Sequence, residues 1–514
     1  MPGVALASSS RLAADGGLRI AARGGNAVDS ALAAAFVSMA TEPGVCSLGA
    51  GGYITIWPAD QPPVTIDGNV EMPGRGLPPE RFGQGGMTVE LAYGGGLRTV
   101  VGFGSVATPG AVAACHLASR EFGSLPWAEL LEPAVESVSN GFPLPLPSHN
   151  YLVHAGTSVY GWDPRSRAAL HHDDGSLCEP GEIIRIPELA HSLQALQERG
   201  AAEFYAGDLG HRIADHVAGN GGVLTRDDMM AYRALPRPSL VLDLDDWRIA
   251  TNPPPAIGGA ALAAMLLLTR HDPISQWDEA GVARIADIQQ RVLTYRQEHL
   301  DFSEDLEQEA RRLLEDCKAG LTAASTVHTS AVDDSGLGCA VTMSAGYGSG
   351  VMPPGTGIWL NNCLGEIELN RRGLHPGPPG WRLPSNMAPT IARRVDGALL
   401  SIGSPGADRI TTAIFQTLVN FVHLGLPLAD AIDHPRLHVE IRDRVSRVAC
   451  EPGLPLAGLT LECRRFPEKS MFFGGVGAAL WHPRDGFVIG ADARRTGGSG
   501  VTASDRTRGR AREM

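Results

Sequence analysis

The residue pattern of the chain changes near residue 326, and this change constrains the fold more than any other feature. Before it, residues 10–23, 27–39 and 282–318 have the apolar spacing of helices. After it, residues 326–332 and 339–344 read as two strands around the turn Asp333-Asp334-Ser335-Gly336. Further strands are predicted at residues 53–57, 64–67 and 398–402. Helices followed by strands that can stack as sheets predict a layered α/β protein.

Two glycine-rich junctions mark element ends. Gly24 and Gly25 are a predicted helix end, and Asn26 is a predicted cap for the next helix. Residues 403–408, Gly-Ser-Pro-Gly-Ala-Asp, lead from a strand into a helix predicted for residues 408–424. Such a turn places backbone N–H groups at the positive end of a helix, which suits an anion.

The size of the chain bounds the number of domains, and its charge disfavours one class of function. The 514 residues suffice for two or three ordinary domains or for one large sandwich. A net charge of −13 disfavours nucleic-acid binding, because phosphate contacts draw on clustered Lys and Arg. The one basic cluster, residues 506–512, is interpreted as a solvated end of the chain.

The cysteines and the N-terminus bear on the compartment. Eight cysteines are scattered without a Cys-x-x-Cys pair, which is typical of reduced thiols rather than of a disulfide framework or a zinc site. Neither a signal peptide nor a stretch of about 18 apolar residues is recognisable. We therefore expect a cytoplasmic protein without metal or organic cofactor.

Thr326 is the candidate nucleophile. A threonine hydroxyl needs an adjacent base, and an α-amino group, with a reference pKa of about 7.7–8.0, can serve as that base. Cleavage of the Ser325–Thr326 bond would place both groups on one residue. On local sequence alone, however, an ordinary β-branched strand residue is the more common role of such a threonine.

Six separated segments carry a family resemblance over nearly the whole chain. They are residues 24–31, 105–110, 252–259, 348–350, 355–362 and 403–406. In order and spacing they resemble γ-glutamyltransferases, which are N-terminal-nucleophile hydrolases. The resemblance implies a four-layer αββα sandwich that cuts itself into a large fragment, 1–325, and a small fragment, 326–514. The two fragments would stay associated as a heterodimer in one intertwined catalytic domain, closed by a strand pair between residues 474 and 495.

The resemblance also assigns the catalytic residues. Thr326 matches the nucleophile, because the family's Thr-x-His-x-Ser pattern stands at residues 326–330. Gly406 and Ala407 match a Gly-Gly pair whose backbone N–H groups hold the oxyanion. Ser344 matches a second hydroxyl that contacts the nucleophile, although a strand serine bonded to backbone is the alternative.

The resemblance is weaker in the substrate pocket. Glu366 matches an acidic residue that holds an α-amino group, with an ordinary surface carboxylate as the alternative, and Ser385 and Asn386 match a serine pair whose second member is replaced. Gly346 and Cys363 stand where the family has amide side chains. The arginine that grips the substrate carboxylate is missing, because Asn69 or Val70 occupies its place. Arg75 is a possible substitute, although an exposed loop arginine is the more common role.

Three functions remain open on the sequence. The first is a self-processing amidohydrolase that transfers or hydrolyses a γ-glutamyl or related acyl group through a threonine acyl-enzyme, with water or an amine as acceptor. The second is an acylase for amides without an α-amino acid head group, because the carboxylate-binding arginine is missing. The third is an uncleaved relative that only binds ligands.

Overall fold

Two large β-sheets face each other at the centre of the protein, and helices cover both outer faces. The structure is a computed structural model, and it describes residues 1–92, 96–270, 272–316, 327–367, 370–442 and 444–502. The first sheet has seven strands, which in spatial order are Gly498–Thr502 (β20), Val4–Ser8 (β1), Val327–Asp333 (β11), Gly338–Ser344 (β12), Gly51–Trp57 (β2), Val64–Gly68 (β3) and Leu235–Pro238 (β8). The second has six, which are Gly486–Ala491 (β19), Gly477–His482 (β18), Leu399–Gly403 (β14), Thr390–Arg394 (β13), Trp247–Thr251 (β10) and Leu240–Leu244 (β9).

Seven shorter strands form three small sheets. They are Met87–Leu91 (β4) with Leu97–Val101 (β5), Phe142–Pro143 (β6) with Ile183–Ile184 (β7), and Leu437–Arg442 (β15) with Val445–Cys450 (β16) and Glu462–Arg465 (β17). The α-helices are Arg11–Ala22 (α1), Ala27–Thr41 (α2), Ala111–Phe122 (α3), Trp127–Ser139 (α4), Leu146–Ala155 (α5), Pro164–Leu170 (α6), Pro187–Arg199 (α7), Ala202–Tyr205 (α8), Asp208–Gly219 (α9), Arg226–Ala231 (α10), Ile257–Thr269 (α11), Glu279–Tyr295 (α12), Leu306–Asp316 (α13), Ile410–Leu418 (α14) and Leu428–Asp433 (α15).

The core is divided into layers. Helices α1 and α2 pack on the first sheet, and α11 and α14 pack on the second. Between the sheets lies a narrow cluster of small and branched side chains, in which Ala5, Val332 and Ala340 of the first sheet meet Ile391 and Leu399 of the second. The predicted αββα sandwich is therefore confirmed, with apolar side chains filling each of its three interfaces.

Local sequence signals explain several element ends. The Ser10 hydroxyl accepts a hydrogen bond from the Ala13 N–H, so it caps α1 as expected. Asn26 caps α2 in a capping box with Asp29. The Asp333 carboxylate accepts hydrogen bonds from Ser335 and Leu337, which closes the predicted turn between β11 and β12. The closing strand pair is also present, as β18 and β19.

The prediction of one long helix over residues 282–318 is wrong in one respect, because the structure has two helices with an interruption after Tyr295. Helix α12 ends at Tyr295, and one π-helical turn follows over Arg296–Leu300. The buried Asp301 then accepts a hydrogen bond from Arg296 Nε at 2.6 Å, and Asp305 caps the next helix through the Gln308 N–H. Two carboxylates that bond locally to the chain thus interrupt the helix, which resumes as α13. The part of the prediction beyond Asp316 lies outside the described residues.

Both halves of the chain contribute to both large sheets. In the first sheet β11 lies between β1 and β12, and β12 pairs in turn with β2. In the second, β10 pairs with β13. Residues 1–316 and 327–502 therefore form one interleaved structure. The seven cysteines in the described part of the chain are free thiols, and none of the helices described is long and apolar enough to span a membrane.

Candidate active site

The predicted nucleophile and cleavage bond, Thr326 and Ser325, lie outside the described residues. The first described residue after them is Val327, which opens β11 and pairs with Met343 in β12. Ser344 is the last residue of β12 and is buried. The strand pair thus fixes the chain directly after the position where the nucleophile is expected.

A buried histidine anchors the start of β11. His328 Nδ1 lies 2.9 Å from Thr342 Oγ1, and its Nε2 lies 2.8 Å from Ser330 Oγ. Ser330 donates its own proton to the Gly477 carbonyl, so it accepts from Nε2–H, and Nδ1 accepts from Thr342. Burial lowers the pKa of His328 to about 3, so the ring is neutral. His328 is therefore a fixed structural link between β11, β12 and β18.

This neutral histidine predicts a loss of stability in acid. The unfolded chain takes up a proton at His328 near pH 6.5, whereas the folded chain does so only near pH 3. Stability should therefore fall as the pH is lowered from about 7 to 3, by at most about 1.4 kcal/mol per pH unit from this group. Urea-unfolding midpoints of His328→Asn should be lower at pH 7 but decline less towards pH 4. His191→Asn, on the exposed surface of α7, is the control, and equal slopes in all three proteins would contradict the prediction.

The junction after β14 forms a tight turn at the two residues predicted to hold the oxyanion. Gly403 packs directly against the His328 ring, two residues beyond position 326. Three residues further, Gly406 has φ = +134° and Ala407 has φ = +54°, and both are buried. Among the described residues, neither of their N–H groups has a hydrogen-bond acceptor. Two unpaired N–H groups on a left-handed, buried turn are compatible with an anion site, and the oxyanion role of Gly406 and Ala407 stays a prediction.

The turn is braced from behind and continues into a helix. Ser404 donates a hydrogen bond to the Pro405 carbonyl at 2.6 Å and accepts one from the Gly475 N–H at 3.1 Å. The helix predicted for residues 408–424 begins as a 3₁₀ turn at Ala407, becomes α14 and ends in a π-helical segment at His423. The positive end of α14 therefore faces the turn, as the sequence predicted.

Ser344 and Glu366 both contact Gly346. The Ser344 Oγ accepts a hydrogen bond from the Gly346 N–H at 3.0 Å. Gly346 has φ = +66°, and a Cβ there would lie 2.8 Å from the Glu366 Cδ and would also collide with Asn362. Glu366 is only 4% exposed, so the alternative of a surface carboxylate is wrong. Burial and the nearby Glu366 raise the pKa of the Cys363 thiol well above its usual range. The site therefore holds a buried acid beside a neutral thiol.

Apolar packing replaces the missing arginine. Val70 is buried in a cluster with Met72, Leu364 and Leu383. Asn69 donates from Nδ2 to the Leu383 carbonyl at 2.7 Å, so its amide holds two segments of the chain together.

The nearby arginines have carboxylate partners. Arg75 lies 3.9 Å from both Glu71 and Asp228. Arg382 is buried, with its Nε 3.3 Å from Glu71 Oε1. The guanidinium groups next to the position of the missing arginine therefore already face acidic side chains.

In the sequence, Ser385 and Asn386 come shortly after Leu383, which belongs to the apolar cluster around Val70. The Ser385 Oγ accepts from the Met387 N–H at 3.3 Å, and its carbonyl accepts from Ile257 and Gly258 at the start of α11. Asn386 is fully buried, and neither its Oδ1 nor its Nδ2 has a hydrogen-bond partner within the described ranges. Buried amides normally have partners. The predicted substrate contact at Asn386 stays a prediction, and this unpaired amide is compatible with it.

A cavity of about 890 Å³ opens beside these elements. Its wall includes Tyr347, next to Gly346, and Asp408 and Arg409, directly after the oxyanion turn. His438 and Phe472 also line the cavity, and Arg409 Nε donates a hydrogen bond to the Phe472 carbonyl at 2.9 Å. Burial holds the pKa of His438 well below its usual range. The volume is within the range of small-molecule sites. The cavity lining thus borders the turn at Asp408 and Arg409 but does not include Gly406 or Ala407.

A comparison with protein families decides the relationship. The family model described as gamma-glutamyltranspeptidase matches residues 13–317 and 288–502. The chain belongs to the gamma-glutamyltranspeptidase family. It is an enzyme of this kind, a γ-glutamyltransferase-like N-terminal-nucleophile amidohydrolase.

The proteins that this chain resembles are named for two activities, glutathione hydrolysis and acylase activity. The glutathione hydrolase proenzyme of Pseudomonas aeruginosa is 29% identical, over 89% of this chain and 89% of its own length. The acylase ACY 1 proenzyme of Pseudomonas sp. (strain V22) is 28% identical, over 96% of this chain and 92% of its own length. The crystal structure of cephalosporin acylase from Bacillus halodurans has a TM-score of 0.79 at 23% identity and covers 98% of this chain and 96% of that one. This last likeness concerns the fold alone.

Several residues around this candidate site of the gamma-glutamyltranspeptidase-family chain were not predicted from the sequence. The link from Thr342 through His328 to Ser330 was not predicted, although alternating polar residues on β11 were a signal for it. The cavity residues Arg409 and His438 were also missed. Arg409 ends the 3₁₀ turn before α14 and His438 lies in β15, so their proximity depends on tertiary packing.

Proposed function

We propose that the chain is a self-processing amidohydrolase whose nucleophile is Thr326. The observation that carries the proposal is the pair of buried, unpaired N–H groups at Gly406 and Ala407, in a turn that packs by way of Gly403 against the start of β11. Continuing the register of β11 and β12 by one residue would pair position 326 with Ser344. The nucleophile, the second hydroxyl and the oxyanion donors would then converge.

The proposed reaction proceeds through an acyl-enzyme. The Thr326 hydroxyl attacks the amide carbonyl while its own α-amine takes the proton. The N–H groups of Gly406 and Ala407 hold the negative oxygen of the tetrahedral intermediate. The intermediate collapses, the C–N bond breaks, and the α-ammonium returns the proton to the leaving amine. Water or an amine acceptor then releases the acyl group from the Thr326 ester by the same steps in reverse.

Self-cleavage would use the same hydroxyl. Attack of Thr326 Oγ on the Ser325 carbonyl converts the peptide bond into an ester, and water then hydrolyses that ester. The products are a fragment 1–325 with a new carboxylate and a fragment 326–514 with a free α-amine. Because both halves contribute strands to both sheets, the two fragments would stay together as a heterodimer.

We propose that the favoured donor is an amide of an acyl group without an α-amino acid head. The support comes from the position of the missing arginine, where Val70 lies in an apolar cluster and Asn69 donates a hydrogen bond to the Leu383 carbonyl. The nearby Arg75 and Arg382 already face carboxylates. A γ-glutamyl donor remains the second candidate, because the buried Glu366 provides a carboxylate where the family holds an α-amino group.

A substrate panel distinguishes the two donors. A bidentate guanidinium–carboxylate contact contributes two charge-assisted hydrogen bonds, so its loss should cost a γ-glutamyl donor about two to four decades of affinity. Simple acyl anilides are expected to exceed γ-glutamyl anilide in kcat/KM, because the γ-glutamyl carboxylate would lose its water without gaining a guanidinium partner. The measurement is initial rates of aniline release at matched concentrations. Faster turnover of the γ-glutamyl compound would remove the acylase interpretation.

A further inference from the structure

A loop far from β11 in the sequence gathers three different metal-binding side chains. His172, Cys178 and Glu182 lie between α6 and β7, and one ligand atom of each lies within 4.8 Å of the other two. The His172 Nε2 is 3.2 Å from the Glu182 Oε2. The spacing His-x₅-Cys-x₃-Glu matches no familiar zinc signature, so the sequence alone did not reveal the cluster.

The backbone fixes each of the three residues in place. The His172 N–H donates to the Ser176 carbonyl at 2.9 Å, and the Cys178 N–H donates to the Leu170 carbonyl at 2.9 Å. The Glu182 carbonyl accepts from the Leu144 N–H at 2.8 Å, just before the β6–β7 pair begins. The backbone positions of the three residues are therefore fixed, and only side-chain rotations are needed for all three to bind one ion.

We propose that His172, Cys178 and Glu182 form a site for Zn²⁺ or a similar borderline divalent cation. Imidazole, thiolate and carboxylate are the ligands that Zn²⁺ takes in proteins. Two ligands about 2.0–2.1 Å from a tetrahedral ion lie about 3.3 Å apart, which is close to the separation of His172 and Glu182. His172 and Glu182 are partly exposed, so the fourth position faces solvent and would hold water.

A second contact orients the carboxylate. The Glu179 N–H donates to the Glu182 Oε2 at 2.6 Å, in the way that outer hydrogen bonds orient metal-binding carboxylates. Binding would displace the thiol proton of Cys178 into solvent and replace the hydrogen bond between His172 and Glu182 by two metal–ligand bonds. That hydrogen bond alone would explain His172 and Glu182 as a surface pair, but it assigns no role to the thiol.

The test is a metal titration of the full chain after treatment with a chelator. We expect one equivalent of Zn²⁺ to bind in competition with a chromophoric chelator, and Co²⁺ to give a thiolate-to-metal charge-transfer absorption. Cys178→Ser, His172→Ala and Glu182→Gln should each weaken Zn²⁺ binding by at least about tenfold, and Cys178→Ser should abolish the Co²⁺ absorption. The titration is performed in the Thr326→Ala background, so that it does not depend on cleavage or activity.

Two matched controls isolate the cluster. Cys463→Ser removes a half-buried free thiol on β17, and Glu179→Gln removes a neighbouring carboxylate that is outside the cluster. Both variants should bind Zn²⁺ as the parent does. Far-ultraviolet circular dichroism of each metal-free variant checks that the fold is retained. Absence of stoichiometric binding, or equal affinity in the parent and Cys178→Ser, would overturn the proposal.

Discussion

Thr326→Ala is expected to leave the chain uncut and to reduce amide hydrolysis by at least about 10⁴-fold. The variant has neither the hydroxyl that attacks Ser325 nor the one that attacks substrate, and without cleavage the α-amine base does not form. Denaturing electrophoresis should give two fragments for the parent and one band for the variant. N-terminal sequencing of the smaller parental fragment should begin at Thr326.

Thr326→Ser is the matched control, because it keeps the hydroxyl and removes only a methyl group. It should still be cut, and it should retain measurable turnover. If Thr326→Ala is cut at the same bond, the nucleophile is assigned wrongly. If fully active parent protein yields only the Met1 terminus, the proposed maturation is wrong as a whole.

Gly406→Ala is expected to lower kcat by about 10²–10³-fold in molecules that have already been cut. A Cβ at this position lies 2.7 Å from the Gly474 Cα, and the φ of +134° is strained for any residue with a side chain. The turn must therefore move, and the N–H groups of Gly406 and Ala407 are displaced from their present positions. The effect should be larger on kcat than on KM, because the oxyanion exists only in the transition state and the intermediate.

Gly425→Ala controls for backbone strain alone. Gly425 also has a positive φ, +63°, but a Cβ there meets no atom within 4 Å, and the residue lies beyond the far end of α14. It should cost about 1–2 kcal/mol of stability and leave kcat unchanged. A similar fall in kcat in both variants would mean that general destabilisation, not the oxyanion turn, explains the result.

The parts of the fold that could be predicted from the sequence depend on neighbours in the chain. The caps at Ser10 and Asn26 and the turn at Asp333 are local hydrogen bonds, so residue type and spacing were sufficient. The break after Tyr295 was missed because the apolar spacing continues across it, whereas the carboxylates that interrupt the helix resemble ordinary helix-surface residues.

The candidate site was predictable only in part, for the same reason. The glycine turn at 406–407 has a local signature. The apolar environment of Val70 has no local signature, because Leu364 and Leu383, which form it, come from distant segments of the chain. The sequence around Glu366 likewise gave no sign of its burial, because neighbours such as Gly346, twenty residues earlier, approach it only in the folded chain.

The central position of β11 determines what a cut before it would do. This strand is bonded along its length to β1 on one side and to β12 on the other, so a new chain end there would remain clamped in the middle of a sheet. Once unfolded, however, the two pieces would have to find each other by diffusion. Recovery after denaturation would thus become second order in protein concentration, and the apparent stability of the matured form would rise with that concentration.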